Sequence, residues 1–158
     1  MGSFQRVTAL PAAVADALTV SLDLDVELVA GSRWRLRALR GRYGYRTFGV
    51  MARGEMVRWA MRMWGFVPVR HTSKIISLVE DDHLGGASFV DQMATGVFAS
   101  YRHEHYFRPD GAGTVMLDDV TWRLPGGWVG ALADRVYVQR MMQRLIDERN
   151  AEIVRRLS

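Results

Sequence analysis

Polar and apolar residues alternate along most of this chain, and the alternation changes to a helical period only near the two ends. From Phe98 to Arg108 and again from Thr114 to Leu124 the residues of one phase are mostly apolar or aromatic, the signature of strands with one buried face. The intervening Pro109-Asp110-Gly111-Ala112-Gly113 has turn chemistry, so the two strands are expected to form a hairpin. Tyr101, His103, His105 and Phe107 share one face of the first strand. Thr114, Met116, Asp118, Val120, Trp122 and Leu124 share one face of the second.

The same reading along the rest of the chain predicts a strand from Ser3 to Leu10, then a short helix from Pro11 with Val14, Ala17 and Leu18 on one face. Residues Ser21 to Arg42 are the least legible: Leu22, Leu24, Val26 and Leu28 alternate, and an arginine-rich stretch around Trp34 follows. Further strands are predicted over Tyr45–Met51, Glu55–Trp64, Val67–Val79 and Ala87–Ala94, separated by turn residues. In the second of these Val57, Trp59, Met61 and Met63 face inward. In the third Val69, His71, Ser73, Ile75 and Ser77 share a phase.

Pro125-Gly126-Gly127 ends the strand region. After Gly130, Leu132, Val136, Met141 or Met142, Leu145, Ile146, Ile153 and Leu157 recur at spacings of three and four, which predicts one long amphipathic helix. Its apolar stripe needs a partner, and the sheet is the one available. The expected architecture is α+β: a curved antiparallel sheet of about six to seven strands wrapped around a long C-terminal helix, with short helices near the N-terminus.

Composition narrows the class. With 158 residues, 49% hydrophobic and 24% charged, the chain suits one globular domain spanning 1–158. The absence of cysteine excludes disulfides, thiolate catalysis and Cys-ligated zinc. No basic start with a long apolar run, and no run of membrane-spanning length, is present; a cytoplasmic protein without integral membrane association is expected. The net charge of +4 derives largely from Arg33, Arg35, Arg37, Arg40, Arg42 and Arg46 and from five arginines near the C-terminus. The late arginines are interleaved with Asp147, Glu148 and Glu152, which fits solvated helix faces rather than a nucleic-acid track. No nucleic-acid partner is expected; docking of a protein or anionic surface on residues 33 to 46 is a weaker alternative. Oligomeric state is not legible.

The candidate chemistry lies on the hairpin. His103, His105 and Asp118 stand on otherwise apolar faces, where polar groups are costly unless paired or lining a pocket. Same-face histidines lie about 7 Å apart along a strand. With a carboxylate nearby, three readings stay open: a hydrogen-bonded polar cluster holding strand register, an acid–base or ligand-orienting pair, and a metal site. The metal reading is the weakest, and no metal and no cofactor is expected. Trp59, Met61, Met63, Phe89, Met116, Trp122 and Met142 are candidates for a cavity wall, since one helix covers only part of such a sheet. Glu55 and Asp91 read as surface or turn acids, and His83 as a solvated loop residue.

Several of these segments also resemble a known family. Phe89-Val90-Asp91-Gln92, Gly96-Val97-Phe98, Tyr101 to Phe107, Gly113 to Val120, Leu124-Pro125 and Leu132 to Arg135 are similar to the START-like/SRPBCC superfamily, in its polyketide cyclase/dehydrase-like branch. Gly54 to Trp59 and Thr72 to Ile75 fit as well, so the resemblance covers roughly Gly44 to the C-terminus. It implies the helix-grip fold and binding of a small hydrophobic or amphipathic ligand, a lipid or polyketide or similar, between sheet and helix. Cavity positions would then include His71 and Tyr101. A cyclase or dehydratase using His103, His105 and Asp118 in acid–base chemistry is the alternative.

Overall fold

The computed structural model describes residues 1–40, 45–63 and 65–158. Its seven strands are β1 (Gly2–Leu10), β2 (Arg37–Ala38), β3 (Met56–Met63), β4 (Val67–Val79), β5 (Ala87–Thr95), β6 (Ser100–Asp110) and β7 (Gly113–Arg123). They form one antiparallel sheet in the order β1-β7-β6-β5-β4-β3-β2. Strands 3 to 7 are joined in sequence as a meander, and β1 closes onto β7. Between β4 and β5 the register shifts at Thr72/Ser73 and at Ile75/Ser77. Such bulges bend a strand and increase its twist, and here they occur midway along the longest strand of a sheet that curls.

Two short helices, α1 (Val14–Ser21) and α2 (Leu24–Ala30), follow β1 and lead into a 3-10 turn at Gly31–Trp34. Asp23 caps α2 by accepting the Asp25 N–H at 3.1 Å. Leu24, Val26 and Leu28 therefore belong to a helix, which buries Leu24 and Val26, while Leu22 caps the end of α1. The predicted strand over Tyr45–Met51 does not form; the stretch holds only a single bridge, between Asp23 and Val50. Gly49 has a φ of 77°, a left-handed turn that breaks extended pairing, and Phe48 is exposed. Arg42 and Trp64, named above, lie outside the described residues, as do Tyr43 and Gly44.

At the C-terminus α3 (Gly127–Ala133), a π-helical turn at Asp134–Val138 and α4 (Gln139–Leu157) follow one another without a break. The turn corrects the expected single stripe. A π turn inserts an extra residue and rotates the helix face beyond it relative to the face before it. Leu132 and Val136 accordingly point to solvent, at 56% and 64% exposure, whereas Val138, Met141, Met142, Ile146 and Ile153 are buried. Trp122 fixes the turn by donating from Nε1 to Asp134 Oδ1 at 2.6 Å.

Apolar residues form two clusters between the sheet and the helices. One joins α1 and α2 to Val57, Trp59, Phe89, Phe107, Met116 and Ile153; the other joins Met61, Met63, Val120 and Trp122 to Val138, Met141, Met142 and Ile146. Each buried side chain of this size contributes about 1.5–3 kcal/mol by leaving water. Among the early arginines, Arg33 pairs with Glu148 at 3.3 Å and Arg46 with Glu55 at 2.7 Å. Among the described residues no helix is long and apolar enough to cross a membrane.

Candidate functional site: a cavity between the sheet and the C-terminal helix

Alternation puts the odd-numbered side chains of β3, β5 and β6 on the concave face, where α2 and α4 only partly cover them. A cavity of ≈ 110 Å³ remains there. A site of that size exceeds the roughly 10–15 Å³ that one water requires. Its apolar wall includes Trp59, Met61, Met63, Phe89 and Tyr101 from the sheet and Met142 and Ile146 from α4. His71, His103 and His105 line it too. Two expected wall residues do not: Met116 is packed under α1, its sulfur 3.8 Å from Ser21 Oγ, and Trp122 turns toward Phe4 and Asp134. Both are inward-facing as their strand phase requires, but β7 lies beneath α1 and the π turn, so helix covers them.

His103, His105 and Asp118 come together as one cluster. His105 and Asp118 are directly opposite in the β6–β7 register, and His103 is two residues along β6. Their exposures are 4%, 2% and 0% in chain order. His103 Nε2 is 3.0 Å and His105 Nδ1 is 2.8 Å from Asp118 Oδ1, but the His105 nitrogen lies out of line for a hydrogen bond. The two rings are 3.7 Å apart, and Phe89 stacks on His105 at 3.9 Å.

Asp118 does not line the cavity; it stands behind the histidines. Burial alone would raise its carboxyl, but the hydrogen bond from His103 and the close approach of His105 hold it well below the usual range. It is therefore the acceptor, and His103 donates. Asn150 on α4 donates to its other oxygen at 2.6 Å, and Arg149 Nη1 approaches to 3.8 Å. Arg149, itself 2% exposed, bonds to Ser21 O at 2.8 Å and pairs with Glu27 on α2. Burial pushes the His105 imidazole well down, helped by His103 and Arg149. Burial also lowers His71 to about 4.

Three ligand atoms within 4.8 Å of one another make the His103–His105–Asp118 set geometrically able to hold a divalent metal. The Arg149 cation beside the same carboxylate oxygen opposes a second positive charge there.

Sequence reasoning missed Asp91, Glu27 and Arg149. Asp91 is not a turn acid: it lies on the inner face of β5, opposite Ile75 and His103, and lines the cavity. Its odd-numbered phase with Phe89 was the available signal. Glu27 and Arg149 sit on helices whose partners a sequence does not show. Glu55 lies at a turn, accepting from Ala52 N at 2.8 Å, and His83 is an exposed loop residue with a φ of 66°.

With this geometry in view, solved structures place the fold. TTHA0849 from Thermus thermophilus is 20% identical, with a TM-score of 0.67 over 99% of this chain and 100% of that one. KanY protein is 17% identical, at a TM-score of 0.71 over 99% of both chains. The di-domain ARO/CYC StfQ from the steffimycin biosynthetic pathway is 13% identical, at 0.71 over 98% of this chain and 50% of that chain. The chain thus has the helix-grip fold that these structures share. No protein-family model matches it, and no curated protein does.

Proposed function

We propose that this protein binds a small hydrophobic or amphipathic molecule in the cavity between the sheet and α4. The observation that carries the reading is the cavity itself: a space walled by Trp59, Met61, Met63, Phe89 and Met142, with a few polar groups converging on it. A fold built only for stability closes such a space, because unfilled apolar volume forfeits packing energy. Methionines adapt to varied apolar shapes, and the aromatic rings supply flat contact surface. His103 and His105, held in place by Asp118 behind them, would orient ligand oxygens.

The test is titration with the apolar fluorophore N-phenyl-1-naphthylamine. Saturable enhancement is expected with the parent protein, and its loss is expected in Met142→Trp and Ile146→Trp, which fill the space from α4. Circular dichroism checks that the variants fold. Equal binding by folded, filled variants overturns the reading, as does no binding by the parent.

A second reading is a polyketide cyclase/dehydratase-type enzyme. It is favoured by the imidazoles facing the cavity and by the neutral state that burial imposes on His105. A neutral imidazole can take the acidic proton between two ketone carbonyls, after which the enolate carbon attacks a further carbonyl of the same chain. StfQ, which shares the fold, comes from a biosynthetic pathway, and this makes the reading worth testing. His103→Gln and His105→Gln should abolish turnover of a poly-ketone while sparing its affinity; retention of turnover by both removes catalysis.

A further inference from the structure

The two buried carboxyls of the sheet differ in one respect. Asp118 has its acceptor sites filled, by Asn150, by His103 and by the close approach of His105 and Arg149. Asp91 does not. The Ser73 hydroxyl, which accepts from Trp59 Nε1 at 3.1 Å, and the Lys74 backbone N–H both bond to it. Oδ1, fully buried, has no hydrogen-bond partner among the described residues. An ionised carboxylate offers about four lone-pair sites, and leaving one buried and empty costs about 1–3 kcal/mol. Asp91 also lines the cavity, which Asp118 does not.

We propose that Asp91 is the group that anchors the cavity's occupant, and that the occupant is an apolar molecule carrying one hydrogen-bond donor, an amine or a hydroxyl. This rests on the binding reading above and specifies its polar end. The charge around the site favours a donor over an acceptor. The groups on the elements packed about Asp91 are Glu27 from α2, Arg149 from α4, His71 from β4, Tyr101 and His103 from β6, and behind them Asp118 from β7. The one arginine of the set is already engaged by Glu27 and lies near Asp118, so acids outnumber fixed cations. His71 and His105 are held neutral by burial. A ligand carbonyl or phosphate finds no free cation among these groups, whereas an N–H or O–H finds the Asp91 carboxylate, which lines the cavity.

Proton release follows from the same geometry. Burial, with Glu27 adding to it, pushes the Asp91 carboxyl up to about 7, so near neutrality much of it carries a proton. A donor arriving at this carboxylate stabilises the ionised form and draws the carboxyl down. The proton lost goes to buffer.

Isothermal titration calorimetry with three probes of one shape tests this: 2-phenylethylamine, 2-phenylethanol and ethylbenzene, at pH 7, in two buffers of different ionisation heat. In the parent protein, the amine or the alcohol should bind at least tenfold more tightly than ethylbenzene and release a fraction of a proton. Which of the two does so identifies the donor. In Asp91→Asn that advantage and the proton release should disappear while ethylbenzene binding is unchanged. Equal affinity for all three probes, or an advantage that survives Asp91→Asn, overturns the anchor and leaves the apolar cavity standing. If none of the three binds, both readings fall. Should Asp91→Asn fail to fold, carboxyl 13C NMR of the parent decides: the Asp91 resonance must move on adding the donor probe and stay in place with ethylbenzene, and any other pattern overturns the proposal.

Discussion

Asn150 Nδ2 lies 2.6 Å from Asp118 Oδ2, so the C-terminal helix is fastened to the middle of the sheet by one buried amide–carboxylate hydrogen bond. The same nitrogen reaches Thr8 Oγ1 on β1 at 3.0 Å. An apolar interface alone would let α4 slide or rotate on the sheet. The amide fixes its register, and with it the position of Met142 and Ile146 over the cavity.

Removing that amide leaves a buried carboxylate with one oxygen unpaired. Asn150→Leu is expected to lower unfolding stability by about 2–4 kcal/mol, from the combined loss of a charge-assisted bond and its desolvation cost. Thr8→Val, which removes only a neutral partner, should cost about 1 kcal/mol. Urea unfolding measures both, and an Asn150→Leu protein as stable as the parent contradicts this account.

His71 gives acid sensitivity of definite sign. Its folded-state value of about 4 lies below the ordinary histidine range near 6.5, so the neutral form is the one folding favours. The contribution is complete above about pH 6.5 and is lost as pH falls toward 4. His71→Gln should remove on the order of 1–2 kcal/mol of the parent's stability loss across that window. Denaturant midpoints at half-unit pH steps provide the comparison; parallel curves for parent and variant exclude the effect.

Asp91 acts with the opposite sign. Because its folded-state value is raised to about 7, the protonated form is favoured, and stability is lost as pH rises from about 4 through 7. Asp91→Asn mimics the protonated form. It should match the parent near pH 4 and exceed it by on the order of 2 kcal/mol at pH 8. A constant difference across the range counts against a raised carboxyl.

Gly130 lies where α3 packs against the end of β7. A Cβ there would fall 2.2 Å from the Pro125 carbonyl oxygen, which is backbone and cannot swing aside. Gly130→Ala should therefore destabilise the protein by about 1–3 kcal/mol despite the better helix propensity of alanine. A thermal midpoint at or above that of the parent rejects the close approach.

Much of this structure is legible in the sequence because sheet periodicity is local. The phase of Val67 to Ile75 and of the hairpin strands follows from residue order, and so does the grouping of His103, His105 and Asp118 on facing positions; beyond the bulge at Ile75/Ser77 the phase switches, and Leu78 rather than Ser77 stands opposite Phe89. The stretch from Leu22 to Leu28 is ambiguous because four alternating apolar residues fit either a strand or a short helix, and the Asp23 cap decides for helix. Leu132 and Val136 fall outside the buried stripe because a π turn leaves no mark in apolar spacing. Asp91 reads as a lone acid in the sequence, although its partners, Ser73 and Lys74, are on the neighbouring strand.

The sequence by itself determined β1 and β3 to β7, the hairpin, the C-terminal helix and the inward direction of the two histidines, because each depends on the alternation or turn chemistry of neighbouring residues. Only the tertiary structure decided which inward residues meet open space and which meet a helix. It buried Met116 and Trp122, placed Asp118 behind the histidines, and left Asp91 lining the cavity with one oxygen that has no hydrogen-bond partner among the described residues. The physical reason is that side-chain phase is set within a strand. Coverage is set by where α1, α2 and α4 come to rest on the curved sheet, and that depends on contacts between residues more than a hundred positions apart, such as Thr8 and Asn150, which are 142 apart.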